Sequence, residues 1–197
     1  MQDGSTDLRS DRAVLIAAAV LALACGSYGA YCGLLIWSGN FHTVAVGRLY
    51  RSAELTRDEF ATTIEAHHVR AVLNLRGAHP EDRWYQDEVA ATGAHGADHY
   101  DIAISAREPV PEGKVEAILA VLRTAPKPLL VHCRSGADRT GFVSALYRYA
   151  IEGESAGEAA RELSVWYGHF PYLTSTTVAM DESASAYFRA HPHASSE

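Results

Sequence analysis

The chain has 197 residues, enough for one domain plus an appendage and for a sizeable core. A net charge of -7 with a pI near 5.8 argues against nucleic acid or an anionic membrane surface as the main partner, while leaving room for a locally basic pocket. Of the three cysteines, Cys25 and Cys32 lie in an apolar amino-terminal stretch, so Cys133 has no partner thiol in the rest of the chain and no disulfide framework is implied.

Residues 1–12 form a polar tail that carries Arg9 and Arg12. Residues 13–37, Ala13 to Trp37, then run about 25 residues without a charge, long enough for a membrane-spanning helix of roughly 20 residues. The segment reads as a single-pass signal anchor. A cleaved signal peptide competes with that reading, because Ala22-Leu23-Ala24 offers a small-x-small site after a short apolar core. Cys25 sits where a lipobox cysteine would, but Ala22 and Leu23 match that pattern poorly. Continued apolarity from Tyr31 to Trp37 favours retention. Arg9 and Arg12 precede the segment and the next arginine is Arg48, so the charge bias places the amino terminus in the cytoplasm and the domain on the extracytoplasmic side.

From Ser38 the pattern becomes that of an α/β domain over residues 38–190, with a disordered tail at 191–197. Thr43 to Val46 and Leu49 to Arg51, separated by Gly47, predict a small hairpin or bent edge strand. Thr56 with Glu59 is a capping-box pattern that opens a helix running to His67. Val69 to Leu75 reads as an apolar strand, Glu81 to Thr92 as a helix, and Asp98 to Ile104 as a partly alternating strand. Pro111 starts a helix through Ala125, and Pro126-Lys127-Pro128 ends it before the strand Pro128 to Val131. Helices are expected over Thr140–Ile151, Ser155–Trp166 and Ser175–Tyr187. The alternation predicts a central, mostly parallel sheet flanked by helices, with ligands beyond the carboxyl ends of its strands.

The stretch from Val131 to Gly141 stands at such an end. A tight loop between a buried strand and a helix turns several backbone N–H groups into one concavity, and the helix dipole adds positive charge. That geometry suits a dianionic phosphate. Cys133 at the start of the loop and Arg139 at its end place a sulfur beneath the anion and a guanidinium fork beside it. The same surroundings favour the thiolate of a cysteine, which is otherwise a minor species at neutral pH. Arg134, Ser135, Gly136, Ala137, Asp138 and Arg139 are the expected phosphate-binding positions.

His132-Cys133, five intervening residues, then Arg139-Thr140-Gly141 resembles the signature of the cysteine-dependent protein tyrosine and dual-specificity phosphatase superfamily. Gly47 to Ala53 and Val72 to Gly77 are similar to the amino-terminal half of its compact bacterial members, so that the resemblance covers Phe41 to Met180. It implies phosphomonoester hydrolysis through a phosphocysteine, with phosphorylated proteins, lipids or small molecules as substrates and neither metal nor cofactor. It also implies a role for the Thr140 hydroxyl in easing departure of the Cys133 sulfur, while His132, its side chain turned away from the substrate, orients the loop through backbone hydrogen bonds. Arg51 and Arg76 stand equally well as substrate-holding or as structural residues.

The general acid is left open among three carboxylates. Asp138 lies inside the loop as in phosphoinositide-type members, Asp101 precedes Cys133 by 32 residues, and Glu108 falls in the loop beyond the Asp98 strand. Phosphoinositides or inositol phosphates are therefore alternative substrates to phosphotyrosine. A rhodanese-like sulfurtransferase shares a cysteine loop of similar length, but Asp138 to Gly141 argues against it. A phosphate-binding pseudophosphatase is weakened by the presence of both Cys133 and Arg139. His95 and His99 are spaced by four across a turn and share no helical face, so they do not predict a metal site.

Overall fold

The structure, a computed structural model, describes residues 5–193. The first and last four residues, including the end of the expected 191–197 tail, lie outside the described residues. The chain divides into two compact units, one ending at Leu34 and one beginning at Leu35. The first consists of most of helix α1, Ser5–Trp37, within which Asp11–Trp37 is long and apolar enough to cross a membrane, with a mean hydropathy of 2.0. The helix encloses the apolar segment read from the sequence and reaches back into the polar tail.

The second unit holds a five-stranded sheet in the order β1-β2-β5-β3-β4, formed by His42–Ala45, Leu49–Ser52, Ala71–Asn74, Asp98–Asp101 and Leu129–His132 numbered in chain order. The β1–β2 hairpin is antiparallel and every other pairing is parallel. Helices α2 (Arg57–His67) and α3 (Arg83–Ala94) cover one face. Helices α4 (Glu112–Thr124), α5 (Asp138–Ala150) and α7 (Val178–Ala190) cover the other. Thr56 caps α2 with the complete capping box that its spacing to Glu59 predicts.

Strand alternation decides what lies under each face. Leu49, Ala71, Leu73, Leu129 and Val131 join the α4–α5–α7 core, whereas Tyr50, Val72 and Leu130 join Phe60 and Ile64 of α2. Helix α5 is buried on almost every side, as expected of the helix that follows the central strand. By the same alternation His132 belongs to the α2–α3 face and Cys133 to the α5 face.

Two elements differ from the sequence reading. The strand expected over Asp98–Ile104 stops at Asp101, although Ile102 and Ile104 still donate N–H bonds to Asn74 and Leu75. The helix expected over Ser155–Trp166 breaks into a one-turn α6 (Ala156–Ala159) and two 3-10 turns, 160–162 and 165–167. The break serves packing: the Glu162 carbonyl approaches α5 at Gly141, where an added Cβ would lie 2.8 Å from its oxygen. Farther on, His193, from the segment expected to be frayed, stacks on Tyr149 at 4.0 Å.

Candidate active site

Residues Cys133 to Ala137 join β5 to α5 at the carboxyl edge of the sheet. The first residue of α5 is Asp138, and its N-cap, Ala137, offers no side-chain cap. Its first-turn amides are therefore left open toward the loop, the state in which a helix end receives an anion. Gly136 has φ +69, and a Cβ there would stand 2.6 Å from the Ala53 nitrogen and 2.7 Å from the Ser52 carbonyl oxygen. Glycine is thus required twice, for the backbone angle and for the close approach of the strand β2 exit.

The loop is braced from below by Arg51, which is fully buried. Its Nη2 donates to the carbonyls of Gly136 at 2.8 Å and Ala137 at 3.4 Å, while Nη1 donates to the Glu162 carboxylate at 2.6 Å and carbonyl at 2.9 Å. The Tyr167 ring lies 4.0 Å from the guanidinium. Burial pushes the Arg51 pKa down, whereas Glu162, Tyr167 and Cys133 pull it up, so the cation senses the Cys133 sulfur. Of the two roles open for Arg51 in the sequence, its contacts are those of a brace. Arg76 pairs with Glu54 and stacks on Trp84 at 3.4 Å.

Asn40 is a second brace, and no local pattern announces it. Buried at φ +42, it donates through Nδ2 to the carbonyls of Ser135 at 2.9 Å and Tyr167 at 3.0 Å. Its Oδ1 lies 3.0 Å from His42 Nε2. A third tie runs from the Glu54 amide to the Arg134 carbonyl at 3.3 Å.

Arg139 donates through Nη1 to the carbonyls of Leu75 at 3.2 Å and Ile104 at 3.5 Å, and its Nε is buried without a partner among the described residues. One arm of the fork is thus anchored by backbone carbonyls and Nε is not. The Thr140 hydroxyl is likewise buried without a partner one residue further on. Cys133 itself is buried.

His132 points away from the loop, but its bond is to a side chain and not to the loop backbone as the sequence reading had it. Its Nε2 lies 2.8 Å from Glu88 Oε1, both groups fully buried, and His99 Nε2 reaches the same oxygen at 2.7 Å. Burial pushes the Glu88 pKa up, yet His132 and His99 outweigh it and hold it down at about 2. Glu88 thus ties the root of the loop to α3. His95 is elsewhere, between the Ala91 carbonyl and Glu65.

The three carboxylates considered as acids have different surroundings. Asp138 accepts from His169 Nδ1 at 2.7 Å, and the other ring nitrogen of His169 lies 2.8 Å from Asp181. Burial pushes the His169 pKa down, but the two carboxylates prevail and raise it to about 9. The ring is thus an imidazolium clasped between two anions. Asp101 accepts from the Tyr85 hydroxyl at 2.5 Å and from Asn74 Nδ2 at 2.9 Å. The Tyr85 pKa is pushed up to about 12 by burial and by that bond. Glu108 is exposed and makes no polar side-chain contact among the described residues, in a loop that begins where Ile104 touches Arg139. Among the described residues no group of three or more His, Cys, Asp or Glu side chains is placed to hold a metal.

Comparison with known proteins agrees with the geometry. A family model described as "Tyrosine phosphatase family" matches residues 37–154, more than half of the chain. No curated protein matches it. Among solved structures, TpbA of P. aeruginosa superposes with a TM-score of 0.58 at 24% identity, covering 78% of this chain and 86% of that one. A second structure of TpbA, with a Cys→Ser substitution and in complex with phosphotyrosine, gives 0.58 at 23% identity over 79% and 86%. The catalytic core of the PP-IP phosphatase SIW14 from S. cerevisiae gives 0.56 at 21% identity over 77% and 89%. The identities are low and these structures speak for the fold, whereas the family model spans the hairpin, the strands and the complete Cys133 to Gly141 stretch. The chain belongs to the tyrosine phosphatase family and is a cysteine phosphatase.

Proposed function

We propose that this protein hydrolyses phosphomonoesters of the phosphotyrosine type through a phosphocysteine on Cys133. The carrying observation is the convergence on one loop of a buried cysteine, an uncapped helix start and an arginine with an unpartnered Nε. The Cys133 thiolate attacks phosphorus and the P–O bond to the leaving group breaks. Amides of residues 134–139 and the free arm of Arg139 hold the equatorial oxygens, whose charge is carried through the transition state. Water then attacks the phosphocysteine and the thiolate departs, with the unpartnered Thr140 hydroxyl free to turn toward the sulfur.

A leaving group of high pKa needs a proton. Asp138 serves as counter-ion to His169, and both oxygens of Asp101 are engaged. Glu108 is the carboxylate without a commitment and is the general acid of this proposal. Phosphotyrosine, bound by the TpbA variant, is the first substrate to test, and inositol phosphate or lipid headgroups are the second, in view of SIW14. The N-terminal helix anchors the domain in a membrane, on the extracytoplasmic side by its flanking arginines. Protease protection of the domain in sealed cells checks that orientation.

The test is a panel of aryl phosphates of graded leaving-group pKa, with Glu108→Gln, Asp101→Asn and Asp138→Asn beside the parent chain. Glu108→Gln should lower kcat for poor leaving groups by about 10²-fold and spare good ones. An equal loss on all substrates, or a selective loss in Asp101→Asn instead, removes Glu108 from the role.

A further inference from the structure

A cavity of about 480 Å³ opens beside the nucleophile loop. Arg134, the residue after Cys133, lines it together with Arg57 from the start of α2 and Arg83 from the start of α3. Nothing in the sequence brings these three arginines together. Two acidic residues also border the cavity, each with its own cation: Glu54 pairs with Arg76, and Asp87 lies 3.5 Å from Arg83. Arg57 and Arg134 have no carboxylate partner among the described residues. In a chain of net charge -7 this is a local excess of guanidinium groups lining one concavity, where an anion relieves their mutual repulsion. Arginine forks also match the oxygens of phosphate.

Arg134 belongs both to the nucleophile loop and to this cavity, so the cavity adjoins the place where the proposed chemistry sets a phosphoryl group over Cys133. We propose that the cavity is a second anion subsite, and that the substrate class is phosphomonoesters carrying a further anionic group, such as a phosphodiester or second phosphate on a polyol. The inference rests on the phosphomonoesterase reading above and narrows it. Ile36, the penultimate residue of the apolar Asp11–Trp37 stretch, supplies an apolar wall to the same cavity. The shared chemistry, a polyol bearing two phosphates, is available from a soluble polyol phosphate or from a lipid headgroup.

The test uses the full chain in phosphatidylcholine vesicles and three probes: 4-nitrophenyl phosphate, glycerophosphoinositol 4-phosphate, and phosphatidylinositol 4-phosphate in the same vesicles. The double variant Arg57→Gln/Arg83→Gln removes two exposed cations that the proposed catalytic steps do not use. It should raise KM for glycerophosphoinositol 4-phosphate about tenfold or more, the loss expected for charge-assisted bonds. Turnover of 4-nitrophenyl phosphate should stay within about twofold, which also reports that the variant is folded. Equal losses on both probes, or no loss on either, overturn the subsite. A larger loss on the vesicle-borne probe assigns the subsite to a lipid headgroup, and a larger loss on the glycerol form assigns it to a soluble polyol phosphate. Failure of the parent chain to hydrolyse 4-nitrophenyl phosphate, or hydrolysis that survives Cys133→Ser, defeats the underlying phosphatase reading instead.

Discussion

The loop at residues 133–139 and the loop at residues 102–110 supply opposite halves of the proposed chemistry and are held in opposite ways. The first is fixed from several directions by residues far away in sequence: Arg51 and Asn40 on its carbonyls, the Glu54 amide on Arg134, Glu88 at His132, and His169 at Asp138. The second is tied at its ends, by Ile102 to Asn74 at the end of strand β3 and Ile104 to Leu75 just beyond it, and by the Val110 amide to the Ser183 hydroxyl at 3.0 Å. Between them its one described internal bond runs from the Arg107 amide to the Ser105 hydroxyl at 3.2 Å. A nucleophile cradle must be preorganised, since its amides act only in place, whereas a proton donor has to reach leaving groups of different shape. Substitutions at the first loop should therefore move stability and activity together, and substitutions in the second should move activity alone.

The largest effect is expected at Arg51. Arg51→Met leaves the buried Glu162 carboxylate with Arg148 as its remaining cation and frees the Gly136 and Ala137 carbonyls, so denaturant unfolding should show a loss of about 3 kcal/mol together with collapse of turnover. An unchanged stability would show that Arg51 is not the brace described. Gly136→Ala comes next: steric conflict with the β2 exit should cost about 1–3 kcal/mol and misplace the loop amides, with a fall in kcat of about 10²-fold. Glu108→Gln, by contrast, should stay within about 0.5 kcal/mol of the parent stability while losing rate on poor leaving groups. A destabilised Glu108 variant would erase the distinction between the loops.

The pH dependence sharpens the same contrast. The folded His169 pKa of about 9 lies above its ordinary 6.5, so its contribution is fully present below pH 6.5 and is lost as pH rises through 9. Glu88 has the reverse sign: depressed from 4.5 to about 2, it contributes fully above pH 4.5 and loses its effect as pH falls toward 2. Melting temperature should accordingly fall on both flanks. His169→Gln should flatten the alkaline flank and Glu88→Gln the acid one, and persistence of either flank in its variant would refute that assignment. The smallest effect is expected far from both loops, where Thr56→Ala should cost about 1 kcal/mol with no change in turnover.

What could be read from the sequence follows this division as well. The hairpin, the parallel sheet and the Cys133 loop were legible because periodicity, a capping box and a strand-loop-helix motif are local signals. The residues that hold the loop were not. Arg51 stood equally well as a substrate ligand, and only the Glu162 contact and the Gly136 carbonyl identify it as a brace. Asn40 and His169 act on the loop across 95 and 31 residues of chain, distances at which a single sequence carries no pattern. The helix expected over Ser155–Trp166 failed for the same cause, since tertiary demand from Arg51 and Gly141 overrides its local propensity. Arg57 and Arg83 read as ordinary helix-start residues until the fold sets them beside Arg134.

The central claim, that Cys133 carries the phosphoryl group, is tested most directly by quenching the enzyme with acid during turnover of an aryl phosphate and locating the phosphoryl group by peptide mass spectrometry. The account predicts one phosphoryl adduct on the peptide containing Cys133, formed at the rate of the burst of released phenol and absent from Cys133→Ser. An adduct on another residue, or turnover in Cys133→Ser at a rate near that of the parent chain, would contradict it.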